Sequence, residues 1–488
     1  MRRLSGYDAQ FVYDERPTEP QHTLKVSIYS AEASARYSFD GARRELRARL
    51  AALPPLRWRA VRVPLDLYHP VWVEDPELDL GRHVQRLTLP APGGRRELCD
   101  AISRIASRPL DPDRPLWEMW MLEGYEGGRI VSVLKMSHAL ADGGASRELL
   151  ERLYSQHPVA EPAVEPEPLR GEPLPSRWTL VRDALRDRVR DALVELPRLV
   201  RASLAARRRL RAARRSGALP EEVSLPLLRW PHTPFSGSLS RRRAFHFTSL
   251  PLDDAKRIRG ILGCTVNDVV LATASGAVRR YLLARDALPS RPTLVYMPIS
   301  IREEHERGTW GNHFTARPVP LPTQLACPLA RLRAIARATT RVKAEVALRR
   351  GALFEQWMGR LPPFVLKLLS HTARTLAHVH PKGPGSLCVS SVPGPAERLH
   401  TLGGPIENFV SVGHMKYSAG LNVTVWSYAD RLNFGLYACA KAVPDLWRIS
   451  RYIEESFEEL REAAFELDSA ADESGERIAP VRAVAAAV

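Results

Sequence analysis

The sequence predicts an α/β protein built as two lobes, and three observations carry that expectation. At 488 residues the chain exceeds what one ordinary hydrophobic core encloses, so two domains are the default. Strand-like and helix-like segments alternate over residues 1 to about 155 and again from about 240 to 465. A stretch rich in Pro and Glu, HPVAEPAVEPEPLRGEPLPSRW from 157, breaks the pattern between them and reads as an extended linker. The expected divisions are 1–156, a linker and basic helix over 157–239, a second lobe over 240–466, and a tail from 467 to 488. No internal repeat relates the two halves.

In chain order, HTLKVSIYS (22–30) has the alternation and β-branching of a strand. SFDGARRELRARLAAL (38–53) follows as an amphipathic helix with Leu46, Leu50 and Leu53 on one face. RIVSVLKMSH (129–138) is a continuous apolar run ending in a polar turn, as in a buried central strand whose end carries chemistry. ASRELLERLYSQ (145–156) then makes a helix. Residues 179–215 form a helical stretch with Leu185, Val189, Leu193, Leu196, Val200 and Leu204 at spacings of three and four, which Pro197 should kink. In the second half DDAKRIRGILG and NDVVLATASGAVRRYLLAR are helix-like. PTLVYMPISI, SLCVSSVPG, GLNVTVWSYAD and RLNFGLYACA are strand-like, and ERIAPVRAVAAAV reads as a frayed tail.

Composition excludes several classes. Five scattered cysteines (Cys99, Cys264, Cys327, Cys388, Cys439) without a CxxC pair fit neither a disulfide framework nor a zinc site, and suit a reducing cytoplasm. His371, His378 and His380 lack a metal-ligand framework, so no metal is assigned. The start MRRLSGYDAQF has no apolar core and no run of about eighteen uncharged apolar residues occurs, so neither a signal peptide nor a membrane-spanning helix is expected. The net charge of +16 is local: residues 177–215 hold thirteen arginines against four acids, more than half of the excess. A basic helix with an apolar stripe suits an anionic lipid surface. The competing reading is a solvated helix that packs its stripe on a lobe. Without aromatic-basic interleaving, nucleic acid is not expected.

Ser137-His138-Ala139-Leu140-Ala141-Asp142-Gly143 lies where the buried strand meets a turn. A histidine there can project into a cleft as a general base, while Asp142 turns away to pair with a cation. Gly143 then permits close backbone approach. Alone the pattern is weak, since Asp-Gly is an ordinary turn and strand-end histidines are often structural.

Further segments supply the specificity: LSGYDAQFVYDERPTEPQH (4–22), DPDRPLWEMWMLEG (111–124), KMSHALADGGAS (135–146), TPFSGSLSRRR (233–243), TVNDVVLATASGAVRRYL (265–282), PISIREEHERGTWGNHFTARPVPLP (298–322), SSVPGP (390–395) and LNVTVWSYADRLNFGLYA (421–438). In this order they resemble the bacterial wax ester synthase/acyl-CoA:diacylglycerol acyltransferases, relatives of the chloramphenicol acetyltransferase and condensation folds. The resemblance covers all but the linker and tail. It implies two chloramphenicol-acetyltransferase-like lobes, each a mixed sheet with flanking helices, and an active site in the tunnel between them. The family motif is usually HHxxxDG with its second histidine as base. His138 holds that position, and Ser137 stands where the first histidine usually does.

The resemblance implies O-acylation of diacylglycerol, a long-chain alcohol, or both, with acyl-CoA as co-substrate and no cofactor. No GxSxG elbow or Cys-His pair suggests a covalent acyl-enzyme. Arg302, at a strand-ending Ser-x-Arg, is the candidate partner of Asp142. Ser137, Asn267, Asn312, Asn422 and Thr424 are candidates for oxyanion or substrate contacts; Thr424 shares a strand face with Asn422. A structural alternative is a helix cap at Asn267-Asp268 and a simple turn at Asn312. PLWE (115–118) reads as architectural, and Ser391-Val392-Pro393-Gly394-Pro395 as a rigid turn. The expected location is cytoplasmic and peripheral, on the inner membrane face or lipid inclusions. Two alternatives stand beside this reading: the same fold acting on another hydroxyl, such as a polyketide or glycolipid, and a lipid-binding relative with weakened catalysis.

Overall fold

The structure is a computed structural model. It describes residues 1–157, 171–217, 231–302, 306, 308–348, 353–379, 387–415, 419–474 and 480–481. Most of the Pro/Glu-rich linker, His380 and most of the tail lie outside the described residues.

Two six-stranded mixed sheets organise the chain. The first runs His400–Thr401, Gly404–Val412, His22–Tyr29, Arg129–Ser137, Trp117–Tyr125, Val84–Thr88 in spatial order. The second runs Phe314–Leu321, Thr293–Ser300, Leu387–Pro393, Leu421–Tyr428, Arg431–Cys439, Arg243–Pro251. Parallel pairs occur in both, Val84–Thr88 with Trp117–Tyr125 and Leu387–Pro393 with Leu421–Tyr428. The strands His22–Tyr29 and Arg129–Ser137 are buried almost throughout, because both faces of their sheet are covered.

The lobes do not follow the chain's order. The strand Gly404–Val412 comes from within 240–466, yet it pairs antiparallel with His22–Tyr29 in the first sheet, Val410 opposite Val26 and Ser411 opposite Lys25. Its apolar residues divide between the two faces, Phe409 on one and Val410 and Val412 on the other, so it needs a sheet covered on both sides. It also packs against the second sheet, which brings the two sheets together near the end of Arg129–Ser137.

Local signals account for the element ends. Ser5 caps Gly6–Asp14 by accepting from the Asp8 N–H, and Asp142 caps Gly143–Leu153 through Ala145. At Val266–Leu283 the cap is Thr265, in a reciprocal box with Asp268, rather than Asn267-Asp268. The helix Leu252–Leu262 ends on Gly263 at φ 58°, against which Pro480 packs, while the Val481 N–H donates to Leu262. That part of the tail is therefore docked, and residues 467–474 continue the helix Leu446–Ser474.

The basic segment forms Arg177–Arg190 and Leu196–Arg215, joined by a π-helical turn at Asp191–Glu195. Pro197 has no N–H to donate, and the irregular turn falls immediately before it. Leu180, Ala184, Leu199 and Ala206 point inward, whereas Leu185, Val189, Leu193, Val200 and Leu204 are exposed. Of the six stripe residues these five face outward, and Leu196 is half-buried. Buried Asp191 anchors the turn by accepting from Tyr68 and Arg360. Among the described residues no single helix is long and apolar enough to cross a membrane.

Candidate active site

His138 follows the last residue of Arg129–Ser137, and its N–H donates to Gln21 O at 2.8 Å. Its ring stacks on Phe11 (centroids 4.7 Å, interplanar 12°), meets His414 edge-on at 4.7 Å and leans on Phe314 at 5.7 Å. The imidazole is thus held by residues of both halves, at the junction of the sheets. It keeps partial exposure. Burial first, then the nearby Lys25 ammonium, pushes its pKa down to about 4.

Asn312 settles which ring nitrogen carries the proton. Its Nδ2 donates to Asp8 Oδ1 at 2.7 Å and to His138 O at 2.8 Å, which occupies both amide hydrogens. Its Oδ1 therefore faces His138 Nδ1, 2.9 Å away, and accepts a hydrogen bond from the Nδ1–H. A neutral imidazole protonated at Nδ1 has its lone pair at Nε2. Asn312 is thus an orienting acceptor: with both amide hydrogens engaged, it has none to offer an oxyanion. Asp8 is buried behind it and also takes hydrogen bonds from Ser5 Oγ and the Asn312 N–H. Burial pushes the Asp8 carboxyl up, and these donors oppose the shift. Gly311, next to Asn312, has φ 94° and lies against Asp8, where a side chain would be strained.

Asp142 turns away from the imidazole. Arg302 Nη2 reaches both of its carboxylate oxygens at 3.1 Å, and the His313 N–H donates to Oδ2 at 2.8 Å. Arg302 also donates to Thr309 O, Glu306 O and Gly311 O, so one guanidinium ties the motif loop to the segment carrying Asn312. Gly143 is required by packing: an added Cβ would lie 2.9 Å from Val392 Cγ2, in the SVPGP segment.

The remaining candidates have other duties. Ser137 is buried, and its Oγ accepts from Ala139 N–H at 3.3 Å within the turn. Thr424 Oγ1 donates to Asn422 Oδ1 and accepts from the Gly413 N–H, while Asn422 Nδ2 donates to His414 O. The pair braces the loop that sets His414 against His138. Asn267 sits in the first turn of its helix, with Nδ2 3.7 Å from Met297 Sδ, and shares none of the bonds around His138. Trp117 of PLWE is buried, donates to Leu56 O at 2.6 Å and stacks on His83. No sequence motif points to Asp8, Phe11 or His414 individually. Asp8 and Phe11, three apart on one short helix, were the legible signal there, an acid and an aromatic on a shared face.

Comparison with known proteins shows the family. Residues 4–270 match the wax ester synthase/diacylglycerol acyltransferase catalytic domain, and residues 310–461 match the C-terminal domain of the same family. A chain of Mycobacterium tuberculosis, provisionally named a diacylglycerol O-acyltransferase, is 36% identical over 95% of this chain and 98% of its own. A wax ester synthase/diacylglycerol acyltransferase from Marinobacter aquaeolei superposes with a TM-score of 0.64 at 24% identity, over 95% of this chain and 99% of that one. The first condensation domain of the CDA synthetase superposes at 0.58 with 16% identity, over 95% and 97%.

Proposed function

We propose, from the premise that this chain belongs to the wax ester synthase/diacylglycerol acyltransferase family and is an acyltransferase, that it moves a long-chain acyl group from acyl-CoA to the hydroxyl of diacylglycerol, a long-chain alcohol, or both, with His138 as general base. The observation that carries the assignment is the Asn312–His138 hydrogen bond, which leaves Nε2 as the acceptor.

In this mechanism the acceptor oxygen attacks the thioester carbonyl carbon as its proton passes to His138 Nε2, and the carbonyl π electrons move to oxygen. The tetrahedral oxyanion then collapses, the C=O bond re-forms, and the C–S bond breaks. His138 returns its proton to the departing CoA sulfur. A depressed imidazole pKa keeps the base neutral at physiological pH. Asp142 and Arg302 hold the loop rather than the proton.

Presentation of an insoluble acceptor is assigned to the basic segment 177–215, docked on an anionic membrane or lipid-droplet surface. Support comes from its thirteen arginines together with the exposed Leu185, Val189, Leu193, Val200 and Leu204.

The experiment is turnover of purified protein with palmitoyl-CoA plus dioleoylglycerol or hexadecanol, following CoA release and lipid product beside His138→Ala. Turnover that disappears in the variant is expected. Full activity in folded His138→Ala would remove the base assignment, and an acyl-enzyme trapped with acyl-CoA alone would remove direct transfer.

A further inference from the structure

Among the described residues, most of the large exposed apolar side chains fall in two stretches, 174–204 and 357–376. The second lies outside the basic segment, on the helices Leu353–Arg360 and Pro363–Val379. The two stretches adjoin: Trp357 Nε1 donates to Ser203 Oγ at 3.0 Å, and Arg360 Nη2 lies 3.6 Å from Glu195 Oε2. Behind the second stretch sits the helix Gly6–Asp14, so close that a Cβ added to Gly6 would lie 2.8 Å from Met358 O. That helix carries Phe11, which stacks on the His138 ring, and Asp8, which holds Asn312.

Pro363–Val379 is built inside out. Residues four apart share a helix face, and one such row, Leu366, Ser370 and Arg374, is buried. It grips the chain around Gly6–Asp14. Ser370 Oγ accepts from Gln10 Nε2 and donates to Asp14 Oδ2, both at 3.2 Å, and Arg374 Nε donates to Glu19 Oε2 at 3.0 Å. The opposite row is Phe364, Leu368 and Leu376, exposed to 65%, 60% and 50%, with exposed Thr372 completing the spacing. A helix facing water shows its polar side outward and its apolar side inward. Here the hydrogen-bonding and ion-pairing groups point in and the apolar row points out, as at an interaction surface.

Charge selects what covers this row. Neither Pro363–Val379 nor the adjoining residues 196–217 contain an acidic residue, and 177–215 holds thirteen arginines. A second copy of the chain would set these arginines against one another, which opposes self-association through this face. An anionic phospholipid surface offers acyl chains to the row and phosphates to the arginines. We propose that Pro363–Val379 is a lipid-inserted helix, its outer row entering the acyl boundary of an anionic phospholipid surface while its inner row keeps the helix bearing Asp8 and Phe11 beside that surface. The inference rests on the reading that such a surface presents the acceptor. It adds a contact outside the basic segment and joins it, through one helix, to the His138 ring.

The test is flotation of the full chain with vesicles of equimolar phosphatidylcholine and phosphatidylglycerol carrying dioleoylglycerol, and with phosphatidylcholine vesicles carrying the same acceptor. Wild type, Phe364→Ser/Leu368→Ser, Thr372→Glu and Leu193→Glu are compared. The double variant should keep its thermal midpoint and bind the anionic vesicles at least about tenfold more weakly, with acylation of the vesicle dioleoylglycerol falling alongside. Thr372→Glu adds a negative charge to the same row without removing an apolar group, and should weaken binding too. Equal binding by wild type and the double variant overturns the proposal, and wild-type binding that does not need phosphatidylglycerol overturns the anionic partner. Loss in Leu193→Glu with none in the double variant overturns this helix and leaves the basic segment's contact standing. Wild type that floats with neither vesicle overturns the reading beneath as well, and a dimer seen by light scattering and lost in the double variant would assign the row to a second copy.

Discussion

Asn312 Oδ1 lies 2.9 Å from His138 Nδ1, and the same amide spends its nitrogen on Asp8 and on the His138 carbonyl. The contact spans 174 residues of sequence and fixes the tautomer of the proposed base. An aspartate often orients such a histidine directly; here an amide stands between carboxylate and imidazole. This arrangement orients the ring without placing a full negative charge on it, consistent with an imidazole whose pKa is lowered rather than raised.

Asn312→Leu should remove the orienting acceptor while leaving the pocket filled. A fall in kcat of roughly 10²-fold, with little change in KM, is expected from steady-state kinetics. Asn312→Asp should restore an acceptor but raise the imidazole pKa, moving the acid limb of the rate profile upward.

Arg302→Lys keeps a charge but cannot bridge Asp142, Thr309 and Gly311 at once. The ion pair is largely buried, with side-chain exposures of 10% and 6%, so leaving Asp142 poorly compensated should cost on the order of 3 kcal/mol. A lowered thermal midpoint together with lost turnover is expected. Unchanged values for both would show that Arg302 does not hold the loop.

Gly143→Ala should lose activity because the new methyl meets Val392 Cγ2 at 2.9 Å. The double variant Gly143→Ala/Val392→Ala should recover much of that loss. A double-mutant cycle in which the two effects simply add would remove this explanation.

Stability should fall on acidification. His69, His138 and His246 are each pushed down to about 4, chiefly by burial, and His22 is lowered too. Between pH ~6.5, where unfolded histidine titrates, and about 4, the unfolded chain binds protons that the folded one does not. Folding stability is therefore complete above that window and decreases as pH drops through it. Denaturant midpoints measured from pH 7.5 to 4.5 should show this slope, and His246→Gln should reduce it.

Leu193→Glu and Val189→Glu alter exposed positions and should leave fold and turnover of dispersed substrate intact. Both should weaken flotation with anionic liposomes, as should raised salt. Equal flotation of wild type and a double variant would exclude this stripe as the lipid contact.

The sequence by itself determined the elements and the strand-end position of His138, because periodicity, capping residues and the end of an apolar run are set by near neighbours. The run Arg129–Ser137 is apolar since it is covered on both faces, and the polar turn after it marks where cover ends. The family motifs added the identity of the loop. Only the tertiary structure decided that Asn312 Oδ1 accepts from the His138 ring and that Gly404–Val412 crosses into the first sheet. It also brought Asp8, Phe11 and His414 to the site. These depend on contacts between residues far apart in the chain, where an amide's direction is set by the neighbours that packing supplies.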